Sequence, residues 1–212
     1  AFGDEGAKAI GKALEGNATM DKIVLPNFTW ERHSVTWQLT EKRLTDNDML
    51  VVAFLLHNMT ALSTLSLASN QLGEKGVDYL SEAMSNIQLL KTLDMANNVL
   101  GDGGAKGIAK LIAAKNSSWT SINLSNSEIG DEGAKAIGAA LEGNETLKEL
   151  DVSANAFGET GANALLPHAK IIGASLGWKG VNSEKWDLSE KKLTDNDMLL
   201  IEPLLRTMPN LK

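Results

Sequence analysis

The residue types able to do chemistry are few in this chain, and their spacing does not assemble them. Three histidines occur, His33, His57 and His168, and none lies at metal-ligand spacing from a second histidine or a cysteine. There is no cysteine, which removes thiolate chemistry and any disulfide framework. Thr-Asp-Asn-Asp at 45–48 and again at 194–197 sets two carboxylates close together, as a Ca²⁺ site or an acid–base pair would. No glycine and distal glutamate follow to complete a calcium loop. The tetrapeptide stands where a helix begins, so its Thr and Asp read as caps for free backbone N–H groups. Gly-x-x-Gly runs such as Gly130–Gly133 invite a phosphate-loop reading, but no Gly-Lys-Ser/Thr follows and the acids inside would repel phosphate. They read instead as places of close helix-to-strand packing. Nothing brings Ser, His and Asp together as a nucleophilic set. The expectation is a chain without catalytic residues, metal or cofactor.

The elements that would position any site repeat. Leu62-x-x-Leu65-x-Leu67-x-x-Asn70 returns as Leu90-x-x-Leu93-x-Met95-x-x-Asn98, as Trp119-x-x-Ile122-x-Leu124-x-x-Ser127 and as Leu147-x-x-Leu150-x-Val152-x-x-Asn155. Leu39, Leu67, Met95, Leu124 and Val152 are spaced 28, 28, 29 and 28 residues apart. A fixed period of this size belongs to solenoids. The first half of each unit alternates apolar and polar residues, as in Thr64–Ala68, which is a short strand buried on one face. The second half has helical spacing, with Ala134, Ile137 and Leu141 on one face. Helices are expected to start near Gly3, Asp46, Glu74, Asp102, Asp131, Glu159 and Asp195. The Asn closing each strand can both donate to and accept from turn backbone. Ser127, Lys42 and Lys191 replace it, so those turns should be looser or rebuilt.

One strand and one helix cannot bury both apolar faces alone, so neighbouring units must stack. The period, the L-x-x-L-x-L-x-x-N core and the Gly-Asp-Glu-Gly-Ala helix start closely resemble leucine-rich repeats of the ribonuclease-inhibitor type, over nearly the whole chain. The resemblance implies an α/β solenoid arc with a parallel inner sheet and outer helices, spanning 1–212 as a single domain. It also implies a non-enzymatic scaffold that binds a protein partner through the concave sheet and the strand-to-helix loops. GTPase-activating members of this repeat class act from such a loop, where Arg43 stands here. The matching residue of the second copy is Lys192, which weakens that alternative.

Two interruptions break the period. Trp37–Leu50 and Trp186–Leu199 are near copies offset by 149 residues, and each follows an irregular stretch, near 26–36 and 175–185, with its own Trp30 or Trp178. Leu25 precedes Leu39 by 14 residues, too few for a helix between them. The chain opens inside one repeat and stops before another strand. This predicts a window cut from a longer array, or a structural subunit whose end faces are covered by neighbouring chains.

The net charge of −7 speaks against a phosphate-backbone binder. No membrane-spanning run or targeting segment is visible, and the lack of cysteine points to an intracellular, cytoplasmic setting. The Asn-x-Ser/Thr sequons at Asn17, Asn27, Asn58, Asn116 and Asn144 read as turn and capping chemistry. On the concave face the outward column is Gln38, Ser66, Asp94, Asn123, Asp151 and Asp187, small and mildly acidic, which would suit a partner with a basic surface. The irregular-loop tryptophans Trp30 and Trp178 are the aromatic anchor candidates, against a reading of each as a hydrophobic plug. Trp37, Trp119 and Trp186 belong to the core.

Overall fold

The computed structural model describes residues 4–14, 17, 19–84, 87, 89–114, 118–175, 188 and 193–206. In chain order the elements are α1 (Asp4–Leu14), β1 (Lys22–Val24), β2 (Thr29–Glu31), β3 (Thr36–Gln38), α2 (Asp46–Leu56), β4 (Thr64–Ser66) and α3 (Glu74–Met84). They continue with β5 (Thr92–Asp94), α4 (Gly101–Ala113), β6 (Ser121–Asn123), α5 (Asp131–Leu141), β7 (Glu149–Asp151) and α6 (Glu159–Leu165). A 3₁₀ turn at Leu166–His168, α7 (Ala169–Ser175) and α8 (Asp195–Arg206) complete the described set. Strands β3 to β7 form one parallel sheet in sequence order. Parallel neighbours need a crossover, and α2 to α5 supply it. The fold is an α/β leucine-rich repeat solenoid.

Register follows the repeat. Trp37, Leu65, Leu93, Ile122 and Leu150 stand side by side across the sheet and are all buried. On the helical side Ala134, Ile137 and Leu141 are buried, as the i, i+3, i+7 spacing requires. Trp119 takes the place of a leucine in this core. Helix α2 departs from the amphipathic norm: Met49, Val51, Val52, Leu55 and Leu56 are all buried, because α1 and α3 flank it and Trp30 sits at its C-terminal end. The seven-residue α7 was not foreseen from the sequence. Pro167 interrupts the helical run after α6, and the 3₁₀ turn carries the chain into a second short helix.

The asparagine ladder reaches backward along the array. Asn70 Oδ1 accepts from the N–H groups of Lys42 and Leu44 at 3.1 and 2.9 Å, and its Nδ2 donates to the carbonyls of Leu39, Leu67 and Ala68. Each Asn therefore ties its own turn to the preceding one. The turns at Lys42 and Ser127, which lack the Asn, are held from the next unit by Asn70 and Asn155. They are also rebuilt. Every described turn has one left-handed residue before the ladder position (Glu41, Ser69, Asn97, Asn126, Ala154), but these two add a second, Arg43 at φ 55° and Glu128 at φ 60°. Lys191 lies outside the described residues.

The helix starts use a connection between repeats. Asp102 Oδ1, in the first turn of α4, accepts the N–H groups of Gly130 and Gly133 at 2.8 Å each, so it caps α5. Asp131 does the same for α6 through Gly158 and Gly161, and Asp46 accepts from Gly73 before α3. A Cβ on Gly133 would stand 2.8 Å from Asp102 Oδ1, and one on Gly161 2.8 Å from Asp131 Oδ1. The glycines of Gly-x-x-Gly thus make room for the neighbouring helix's carboxylate, which replaces the helix-to-strand explanation of the motif. An anion at a helix N-terminus is favoured by the dipole and the free N–H groups. Asp102→Ala is expected to lower stability by about 2 kcal/mol, as a charged hydrogen-bond acceptor is lost at a partly solvated site. Asp102→Asn, which keeps an oxygen acceptor, should recover most of it. A urea-denaturation midpoint unchanged by Asp102→Ala would show that water satisfies these groups equally well.

Candidate functional site: an open strand edge beside a hairpin

The first interruption contains a β-hairpin. Strand β1 pairs antiparallel with β2, setting Ile23 opposite Trp30, and the chain then turns into β3 with no helix between. By its spacing from α1, β1 corresponds to a normal repeat strand. It does not pair with β3, which remains the first strand of the parallel sheet. The backbone groups of Val35 and Leu39 bond to β4, as in Thr64 N–H to Val35 O at 3.1 Å and Leu39 N–H to Ser66 O at 2.8 Å. With strand alternation, the N–H and C=O groups of Thr36 and Gln38 point the other way. They face an open groove of about 530 Å³ between hairpin and sheet.

Leu25, Pro26 and Phe28 line the hairpin side of this groove; Thr36, Trp37 and Gln38 line the sheet side, with Glu31 and Lys42 as its charged residues. Phe28 meets Trp37 edge-on at 5.7 Å, and Trp37 Nε1 donates to Thr29 O at 2.9 Å. These two contacts set the spacing between hairpin and β3. Val24 and Val35, adjacent in the chain to groove residues, are exposed.

The structure distributes the sequence candidates unevenly. Of the concave column only Gln38 lines this groove and is exposed. Ser66 is buried, bridging Thr40 Oγ1 at 2.7 Å and Asp94 Oδ2 at 3.3 Å. Asp94, Asn123 and Asp151 each accept the N–H two residues on, that of Ala96, Ser125 and Ser153. Their side chains close the turn after each strand, so the acidic column has a structural task of its own. Asp187, Trp178 and Trp186 lie outside the described residues. Trp30 is 0% exposed, so the anchor reading of it is corrected. Its Nε1 donates to Leu55 O at 3.1 Å, and the Arg32 guanidinium lies 5.4 Å from its ring. It is the plug that seats the hairpin on α2.

The arginines separate in the same way. Arg32 is committed to the backbone, donating to the carbonyls of Met20 and Asn17. Arg43 is exposed in the strand-to-helix loop. Asn17 and Asn144 both accept from the Thr two residues on and from the next N–H, which is capping chemistry at the helix-to-strand junction. Among the described residues no group of three or more His, Asp or Glu is placed to hold a metal ion. No described helix is long and apolar enough to cross a membrane.

Comparison with known proteins agrees with this architecture. A family model described as Leucine Rich repeat matches residues 58–81, 86–109, 115–138 and 143–166, the four most regular units. The chain belongs to the leucine-rich repeat family, whose repeats are generally protein–protein interaction modules. No curated protein matches the chain. The open edge and groove were missed in the sequence because both depend on β1 failing to pair with β3. The one available signal was the 14-residue spacing of Leu25 and Leu39.

Proposed function

We propose that the chain is a non-enzymatic protein-interaction scaffold of the ribonuclease-inhibitor type, and that it holds an extended segment of its partner along β3. The observation that carries this reading is the unpaired edge of Thr36 and Gln38 inside a groove. A free strand edge is a template for one more strand, and a hairpin wall beside it confines that strand to one course. Leu25, Pro26 and Phe28 offer apolar contacts for alternate side chains of the incoming peptide, while the main chain supplies affinity. The 28-residue unit with a full helix in each repeat supports the subclass. The acidic sheet beyond β3 favours a segment followed by basic residues.

The test is selection from a displayed library of random peptides, followed by binding of the selected peptides to two variants. Gln38→Pro removes an N–H that points into the groove and leaves the β4 ladder intact, since proline is tolerated on an outward edge. It should weaken the selected peptides at least tenfold with the melting temperature held. Asp94→Lys with Asp151→Lys should change affinity less. Full binding to Gln38→Pro, with loss on the Asp variants, would move the site to the concave acidic face.

A further inference from the structure

The outward positions of the stacked helices follow the repeat, and one helix departs from it. Residues 28 apart in α2 and α3, and again in α3 and α4, take the same place on successive helices. Asp78 and Glu82 of α3 are exposed there, as are Lys106 and Lys110 of α4 and Lys135 of α5. In α2 the same two places hold Leu50 and Phe54. Both are only half-buried, although α1 packs on one side of α2 and α3 on the other. Outward positions of an amphipathic helix are polar, and the sibling helices obey this. The fold therefore does not ask for an apolar pair at this place.

Leu50 and Phe54, one turn apart, form one wall of an open cavity of about 230 Å³. Tyr79 and Ala83 of α3 form the other wall, and Glu82 adds a carboxylate at the rim. Asp78, one turn before Glu82, continues the acid along the same face of α3. Both walls are helical, so their backbone groups are paired internally and offer no edge to a strand. Two helices side by side leave a furrow that a third helix fills, ridge into groove. We infer that the furrow between α2 and α3 docks an amphipathic helix of a partner protein. Its apolar stripe lies on Leu50, Phe54 and Tyr79, and its Lys or Arg residues face Asp78 and Glu82. The apolar contact supplies affinity, while the acidic side fixes orientation and selects cationic helices. The furrow shares no residue with the β3 groove, so the inference stands apart from peptide capture there.

The probe is a displayed library of helix-forming peptides with randomised surfaces, selected on the whole chain. Selected peptides should carry apolar residues at i, i+3 or i+4, and i+7, with Lys or Arg along one flank. Leu50→Asp with Phe54→Glu writes the residues of α3 into α2. It should weaken these peptides about tenfold or more with the melting temperature held. Asp78→Lys with Glu82→Lys writes in the residues of α4 and changes exposed positions alone. It should weaken the same peptides, and a fresh selection on it should return acidic flanks. This variant decides the matter even if the α2 variant fails to fold. Gln38→Pro should leave the binding unchanged. Full binding to either double variant overturns the inference, as does a selection that returns no amphipathic helix. Sedimentation of the wild type alone reads one rival. Growth in mass with concentration, abolished by Leu50→Asp with Phe54→Glu, would assign the furrow to a second copy of the chain and overturn the partner helix.

Discussion

Asn155→Ala should cost about 3–5 kcal/mol of stability, more than its small volume suggests. The side chain is buried and uses both ends. Oδ1 accepts the N–H groups of Ser127 and Ile129 at 3.0 Å each, while Nδ2 donates to the carbonyls of Leu124, Val152 and Ser153 at 2.9, 2.8 and 3.3 Å. Alanine leaves these backbone groups without that partner in a site shielded from water. A buried unsatisfied group costs roughly 1–3 kcal/mol, and relaxation or an entering water recovers part of the sum. The location adds to the effect. Ser127 offers its own turn only weak contacts, from Oγ to Met95 O at 3.4 Å and to Ser125 O at 3.2 Å. That turn also contains two left-handed residues, Asn126 and Glu128, and such backbone persists where its surroundings over-determine it. Asn155 therefore holds two turns, and the Ser127 turn has no ladder asparagine of its own to share the task. Asn155→Asp should fare no better, because a carboxylate cannot donate to three carbonyls. Equilibrium urea denaturation measures both variants, and a loss below about 1 kcal/mol for Asn155→Ala would show that the ladder is dispensable here.

The parts of the fold that were legible in the sequence are those written by short-range periodicity. The in-register row from Trp37 to Leu150 and the helix starts at Asp46, Glu74, Asp131, Glu159 and Asp195 each follow from a local pattern of burial or capping. What stayed hidden is carried by pairs about 27 to 31 residues apart, such as Asp46 with Gly73 and Asp102 with Gly133. An acid in the first turn looks the same in sequence whether it serves its own helix or the next. The candidate site was hidden for a related reason. Thr36 and Gln38 are ordinary strand residues, and they become a site only because the hairpin stands apart from β3. Asp94 and Asp151 look like free carboxylates in a column until the turns that they close are seen. Trp30 carried two opposite readings, plug and anchor, and nothing within three residues of it could choose between them.

The choice matters for the groove, and Trp30→Ala is the variant that exposes it. Removing a large, fully buried aromatic typically costs 3–5 kcal/mol, and the upper part of that range is expected here because the hydrogen bond from Nε1 to Leu55 O goes with it. The loss should fall on one place. Two strands of three residues each make a hairpin that is marginal without packing. Its remaining ties to the array include the Trp37 bond to Thr29 O, the Phe28–Trp37 edge contact and the Arg32 bridge from Met20 to Asn58, and Arg32 loses the ring it lies over. In a stacked repeat each unit leans only on its neighbours, so one unit can open while the others stay folded. Hydrogen exchange should therefore become fast over residues 22–31 while β4 to β7 keep their protection. Trp30→Phe, which fills most of the space but leaves a small cavity and loses the hydrogen bond, should cost less, about 2 kcal/mol, and keep the hairpin closed. Peptide binding should follow the hairpin: retained in Trp30→Phe and lost in Trp30→Ala, although Trp30 does not line the groove. If Trp30→Ala opens the hairpin and still binds the selected peptides at full strength, the hairpin wall has no part in recognition and the edge of β3 acts alone.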